Sequence, residues 1–249
     1  MKSMGLFSRK KREMTDDPSI EGFPTVDLID LTDSAADIHG DDVAATISPI
    51  DEFDQLVDRE WERLASPGTW WTGGERVAIA HDARLAAEGR AATGVLPAPL
   101  EEATRRIAVH AASIRGTDVA RWELEGLDPF SFIELTGIVS RLAAIDVTSF
   151  GLGRDLRELP EPELFGDPSR TKPEGAVITT GWAPTIGPAG APSALTAVPP
   201  EAEAMFDLHG VLYATIDEMF DLQLVRDGLT RPQIELVAAR TSSLNECFY

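Results

Sequence analysis

Two residues near the C-terminus have the types and the spacing for redox chemistry. Cys247 is the sole cysteine among 249 residues, and Glu235 stands twelve residues before it. Asn245 is a favoured N-cap, which places Cys247 in the first turn of a helix. Unpaired N–H groups and the helix dipole at such a position favour a thiolate over a thiol. A carboxylate within reach can take or relay the proton. Cysteines three apart on a helix share a face, so their sulfurs can close a disulfide. The chain ends at Tyr249, and position 250 is where the second member of such a pair would fall.

The run Gln233-Ile234-Glu235-Leu236-Val237-Ala238-Ala239-Arg240-Thr241-Ser242-Ser243-Leu244-Asn245-Glu246-Cys247 resembles the active-site signature of AhpD-like alkylhydroperoxidases, within the carboxymuconolactone decarboxylase superfamily. By that resemblance Glu235 is the relay glutamate and Cys247 the first, resolving cysteine. The attacking group would follow at position 250, with a relay histidine one turn beyond. The resemblance implies thiol-dependent reduction of hydroperoxides. Its partners are then a hydroperoxide substrate and a dithiol or thioredoxin-like reductant, with no cofactor and no metal.

An earlier stretch is similar to the same superfamily. Phe132 to Asp146 and the following Phe150-Gly151-Leu152-Gly153 resemble its closing helix, and Glu75 sits where a signature helix would begin. Ala86, Ala87 and Glu88 stand where cysteines are expected, so this first repeat is catalytically empty. The segments Glu75 to Ala80 and Glu235 to Arg240 echo one another, each after a Thr-based cap. The implied fold is all-α, an AhpD-like helical bundle of two repeats with the second incomplete. It implies a homo-oligomer or an internal pseudo-dimer. Two other readings stand beside it: a non-catalytic helical oligomerisation or interaction module, and a decarboxylase-type enzyme that uses no cysteine.

The elements that must position these residues are helical. Phe53, Leu56, Val57, Trp61 and Leu64 recur at helical spacing to about Ala65, where Ser66-Pro67-Gly68 breaks the pattern. Thr72-Gly73-Gly74-Glu75 is a capping box for a helix to about Glu88, and that cap by itself accounts for Glu75. Leu100 to Ile114 is a further helix. Asp128-Pro129 opens a long one, Phe130 to about Phe150, closed by Gly151 and Gly153. Glu134 lies in this otherwise apolar helix, either as a buried hydrogen-bonding group or exposed.

Nine of the seventeen prolines lie between Pro160 and Pro200, which predicts an irregular linker. Helix resumes at Glu201, with Met205, Leu208, Leu212, Ile216 and Phe220 on one stripe. Thr230-Arg231-Pro232-Gln233 caps a last helix, Ile234 to about Thr241. The expected organisation is therefore an acidic disordered tail with a basic head over 1–48 and a cysteine-free helical module over 49–157. A Pro/Gly-rich linker spans 158–200, and the start of a second module spans 201–249. A module that stops short leaves apolar helix surface unburied.

A net charge of −20 argues against nucleic acid or an anionic membrane as partner. The basic head carries no apolar region of a secretory signal, and one cysteine makes no internal disulfide. The expected compartment is the cytoplasm. His39, His81, His110 and His209 show no metal-ligand spacing. Trp70-Trp71 reads as a packing anchor.

Three accounts of the terminus stand open: a fragmentary piece, a protein that has lost catalysis, and a UGA codon read as selenocysteine at position 250, the last slightly favoured. A selenol is more acidic than a thiol and a better nucleophile. The codon after Tyr249 is expected to be UGA, followed in frame by a helical, histidine-containing continuation. Another stop codon in the nucleotide sequence would overturn this account.

Overall fold

The computed structural model describes residues 48–188, 190 and 193–244, which places Cys247 and nearly all of the expected tail outside the described residues. Helix α1 (Pro49–Ala65) is capped by the Ser48 hydroxyl, which accepts from the Asp51 N–H, and it buries all five residues of its apolar stripe. Helix α2 (Gly73–Ala87) opens with the expected capping box between Thr72 and Glu75. Helix α3 (Ala98–His110) ends earlier than its pattern suggests, in a single 3₁₀ turn at Ala111–Ser113. Helix α4 (Gly116–Leu124) is unexpected. It buries only Val119 and Trp122, too short a periodic run to signal a helix. Helix α5 (Pro129–Gly151) starts on Asp128, whose carboxylate accepts from the Phe130 N–H.

The C-terminal third departs from its sequence pattern. Helix α6 (Pro199–Leu212) stops at Tyr213, which leaves helical geometry at φ −142° and ψ −76°. The expected single stripe from Met205 to Phe220 is therefore broken. Thr215 begins a separate cap with Glu218, and the short α7 (Ile216–Met219) leaves Ile216 and Phe220 exposed. A hairpin follows, β1 (Val225–Arg226) and β2 (Leu229–Thr230). Asp227 and Gly228 both take positive φ, 51° and 81°, as a type I′ turn requires. Helix α8 (Arg231–Leu244) starts three residues before the expected Ile234, and Gln233 accepts from the Thr230 N–H and hydroxyl.

Among the described residues the protein is all-α apart from this hairpin and a single bridge between Val177 and Thr185. Helices α1, α2, α3 and α5 enclose one core, with Leu56, Ile79, Leu100, Ala103, Trp122 and Leu135 at its centre. Helix α6 packs on α1 and α5 through Ala204 and Leu208. The proline-rich segment is largely irregular but tethered. The Glu163 N–H donates to Ala65 O and the Arg170 N–H to Thr69 O, while Leu195, Ala197 and Val198 pack with Trp70 and Ile133. Among the described residues no helix is long and apolar enough to cross a membrane.

A buried ion network joins four of these helices. Arg76 of α2 pairs with Glu134 of α5 and, at 3.1 Å, with Glu201 of α6. Arg141 of α5 lies 2.7 Å from Glu201 and 2.8 Å from Glu60 of α1. Glu134 is fully buried and also accepts from the Trp70 N–H at 2.6 Å. Removing either arginine would leave buried carboxylates uncompensated, a cost of about 3–5 kcal/mol. Two glycines make room for these charges. A Cβ on Gly68 would collide with Glu134 and Arg76, and one on Gly137 with Glu201. At the surface Asp207 of α6 accepts from Arg59 and pairs with Arg63 of α1, each guanidinium at 2.8 Å.

Burial raises the Glu134 pKa and Glu201 adds to the effect, against the opposing pull of Arg76. The folded protein thus binds this proton more tightly than the unfolded chain. The resulting stability is full below the ordinary value of 4.5 and declines as pH rises through the raised value. In urea unfolding, Glu134→Gln is therefore expected to gain on the native protein as pH rises from 4.5 through the raised value, and to gain no further above it. Parallel pH–stability curves for the two proteins would refute this.

Candidate functional site

Glu235 is presented by a framework that starts at the end of α6. Arg226 of the hairpin caps that end, donating to Gly210 O at 2.7 Å, Tyr213 O at 3.1 Å and Val211 O at 3.2 Å. A helix C-terminus has unpaired carbonyls and a negative dipole end, and a guanidinium answers both. His209 Nδ1 lies 2.6 Å from Ala214 O. A carbonyl only accepts, so Nδ1 carries the proton. The imidazole meets the Tyr213 ring edge-on, with centroids 5.0 Å apart.

From this position the Tyr213 hydroxyl donates to Glu235 Oε1 at 2.7 Å. Arg231, one turn before Glu235 on α8, reaches the same oxygen with Nη2 at 2.6 Å. Its other nitrogen, Nη1, donates to Glu218 O at 2.8 Å. Burial pushes the Tyr213 phenol above its ordinary range, and the Glu235 hydrogen bond and charge push the same way. Tyr213 therefore stays a hydrogen-bond donor through neutral pH. His209 and Tyr213 line a groove of about 520 Å³ with Ile234, Val237, Ala238 and Thr241.

Glu235 is thus a held, half-exposed carboxylate beside a partly apolar groove, a fitting place for a proton acceptor. Cys247, the other candidate, lies outside the described residues, so the structure does not bring the two together. Tyr213, Arg231 and His209 went unnoticed in the sequence as partners. Each pair His209/Tyr213 and Arg231/Glu235 is spaced i,i+4, which places both members on one helical face and was a readable signal. The contact from Tyr213 to Glu235 spans 22 residues and carries none.

The first-repeat candidates have structural work. Glu75 accepts from the Thr72 N–H and hydroxyl at 2.9 and 2.8 Å, so the cap accounts for it. Glu134 belongs to the buried network. Ala86 is buried on α2, and Glu88 is its exposed C-cap. A second concavity of about 510 Å³ has Arg76, Arg141 and Glu201 in its lining, but these groups are paired with one another. Among the described residues no three His, Cys, Asp or Glu side chains are grouped to hold a metal ion.

No family model, no curated protein and no solved structure matches the chain.

The Arg226 cap makes a separate prediction. Arg226→Ala is expected to cost about 1–3 kcal/mol through its lost charge-assisted hydrogen bonds. It should also speed amide exchange over residues 210–231 while α2 to α5 stay protected. Unchanged exchange in that segment would show that other contacts hold the hairpin.

Proposed function

We propose that the chain belongs to a thiol-dependent hydroperoxide-reducing system with an AhpD-like redox site. Glu235 is its proton relay and Cys247 its resolving thiol. One observation carries this reading. Glu235 is held by the Tyr213 hydroxyl and Arg231 on the helix that leads toward Cys247, at the spacing of the AhpD-like signature. A merely solvated surface glutamate needs neither a hydrogen-bond donor nor an ion pair.

The chemistry balances as follows. The chalcogenolate of a Cys-x-x-Cys-type pair attacks the terminal oxygen of ROOH and breaks the O–O bond. It becomes a sulfenic or selenenic acid as ROH leaves with a proton. The Cys247 thiolate displaces water from that acid and closes the bridge, and an external dithiol or thioredoxin-like protein reduces it. Glu235 moves the protons. Such a cycle suits the reducing cytoplasm.

The test is consumption of tert-butyl hydroperoxide with dithiothreitol, in the 249-residue chain and in one carrying Cys at 250 with its natural continuation. The extended protein is expected to turn over. Glu235→Gln should lower its kcat/KM by about 10²-fold or more, the usual contribution of a positioned proton-transfer group. Cys247→Ser should stop recycling by the dithiol. An extended protein inactive with every dithiol tried would overturn the proposal.

One observation favours a second reading, a non-catalytic helical oligomerisation module. Helix α8 buries none of its described side chains and exposes Leu236, Val237 and Leu244. On that reading copies of the chain self-associate in sedimentation experiments, Leu236→Glu reverses this, and no peroxide is consumed.

A further inference from the structure

A hydrogen bond and an ion pair converge on a single oxygen of Glu235. The Tyr213 hydroxyl and Arg231 Nη2 both approach Oε1, at 2.7 and 2.6 Å. The Tyr213 hydrogen bond and the Arg231 charge both engage Oε1, and a proton-transfer group gains from being held in one orientation. Neither group is loose. Arg231 is held by the Glu218 carbonyl. Tyr213 is held through its own carbonyl, which accepts from Arg226, and by the ring of His209, locked in turn to Ala214 O.

We propose that Tyr213 is a positioning residue: with Arg231 it occupies Glu235 Oε1, so that Oε2 is the oxygen that takes and returns the proton. The arrangement puts the orientation of a side chain on α8 under the control of the C-terminus of α6. The charged and titratable groups around Tyr213 are Glu235 and Arg231 from α8, His209 from α6 and Arg226 from β1.

The inference rests on the peroxidase reading for its kinetic arm only. The chain has two tyrosines, Tyr213 and Tyr249, so labelling at tyrosine Cζ gives two NMR signals that Tyr213→Phe assigns. The Tyr213 phenol is expected to titrate above the ordinary range, and Glu235→Ala should bring it down. Identical titration in the two proteins would overturn the proposal, whatever the protein's activity. In the extended, peroxide-consuming protein, Tyr213→Phe is expected to lower kcat by about tenfold with KM unchanged, as loss of one hydrogen bond to a charged group would. If Glu235→Gln silences that protein while Tyr213→Phe turns over normally, the positioning role is wrong and the peroxidase reading stands. If no form consumes peroxide, the peroxidase reading falls and the titration alone decides whether Tyr213 holds Glu235.

Discussion

Two guanidinium groups, Arg76 and Arg141, serve three buried carboxylates drawn from three different helices, and the rest of the bundle is arranged around that sharing. Burial of charge is costly unless each group is met by an opposite one in good geometry. That requirement fixes the register of α1, α2, α5 and α6 more narrowly than apolar contact, which tolerates sliding. It also dictates the two close-approach glycines, Gly68 in the α1–α2 turn and Gly137 within α5. Burial opposes the Arg141 cation, but Glu201 and Glu60 outweigh it and raise its pKa further. In the more exposed pair, the Arg59 hydrogen bond holds the Asp207 carboxyl below its usual range. Helix α6 thus docks through carboxylates at both levels, Glu201 inside and Asp207 at the surface.

Little of this network was legible beforehand. A glutamate or arginine on an amphipathic helix reads as part of its wet face, and in a chain with 42 acidic residues the few buried ones do not stand out. The helices with strong caps were legible. Thr72 and Asp128 were readable as side-chain acceptors, whereas Ser48, read as the last residue of the tail, caps α1, whose apolar stripe was buried residue for residue. The break after Leu212 was hidden because Ile216 and Phe220 continue the helical period in sequence while a cap at Thr215 interrupts it in space. Asp227-Gly228 was an available hairpin signal, but strands of two residues leave no alternation to support it.

The echo between the two glutamates also looks different when aligned by their helices. Thr72 and Thr230 each precede the first helical residue, and each is bridged to the side chain three positions on, Glu75 and Gln233. Glu75 is therefore the counterpart of Gln233, and Glu235 that of Val77. Glu75 sits where the helix needs an acceptor for its own terminus. Glu235 lies two residues deeper, past the helix terminus's own backbone donors, where Arg231 one turn before and the tertiary partner Tyr213 meet it. The difference between a capping group and a candidate relay is here one of position along the first turns, not of residue type.

Helix α8 contributes no buried side chain, and its contacts include the hairpin strand β2, Tyr213 and the Glu218 carbonyl. Its free energy of opening is then set by a handful of polar contacts, whereas the bundle must lose its whole core to open. That disparity predicts two unfolding processes of different size in one chain. The segment carrying Glu235 can detach, reorder or accept a new neighbour on its bare face while α1 to α6 remain folded. A global melting curve would record the bundle and pass over the part of the molecule where the chemistry is proposed to lie.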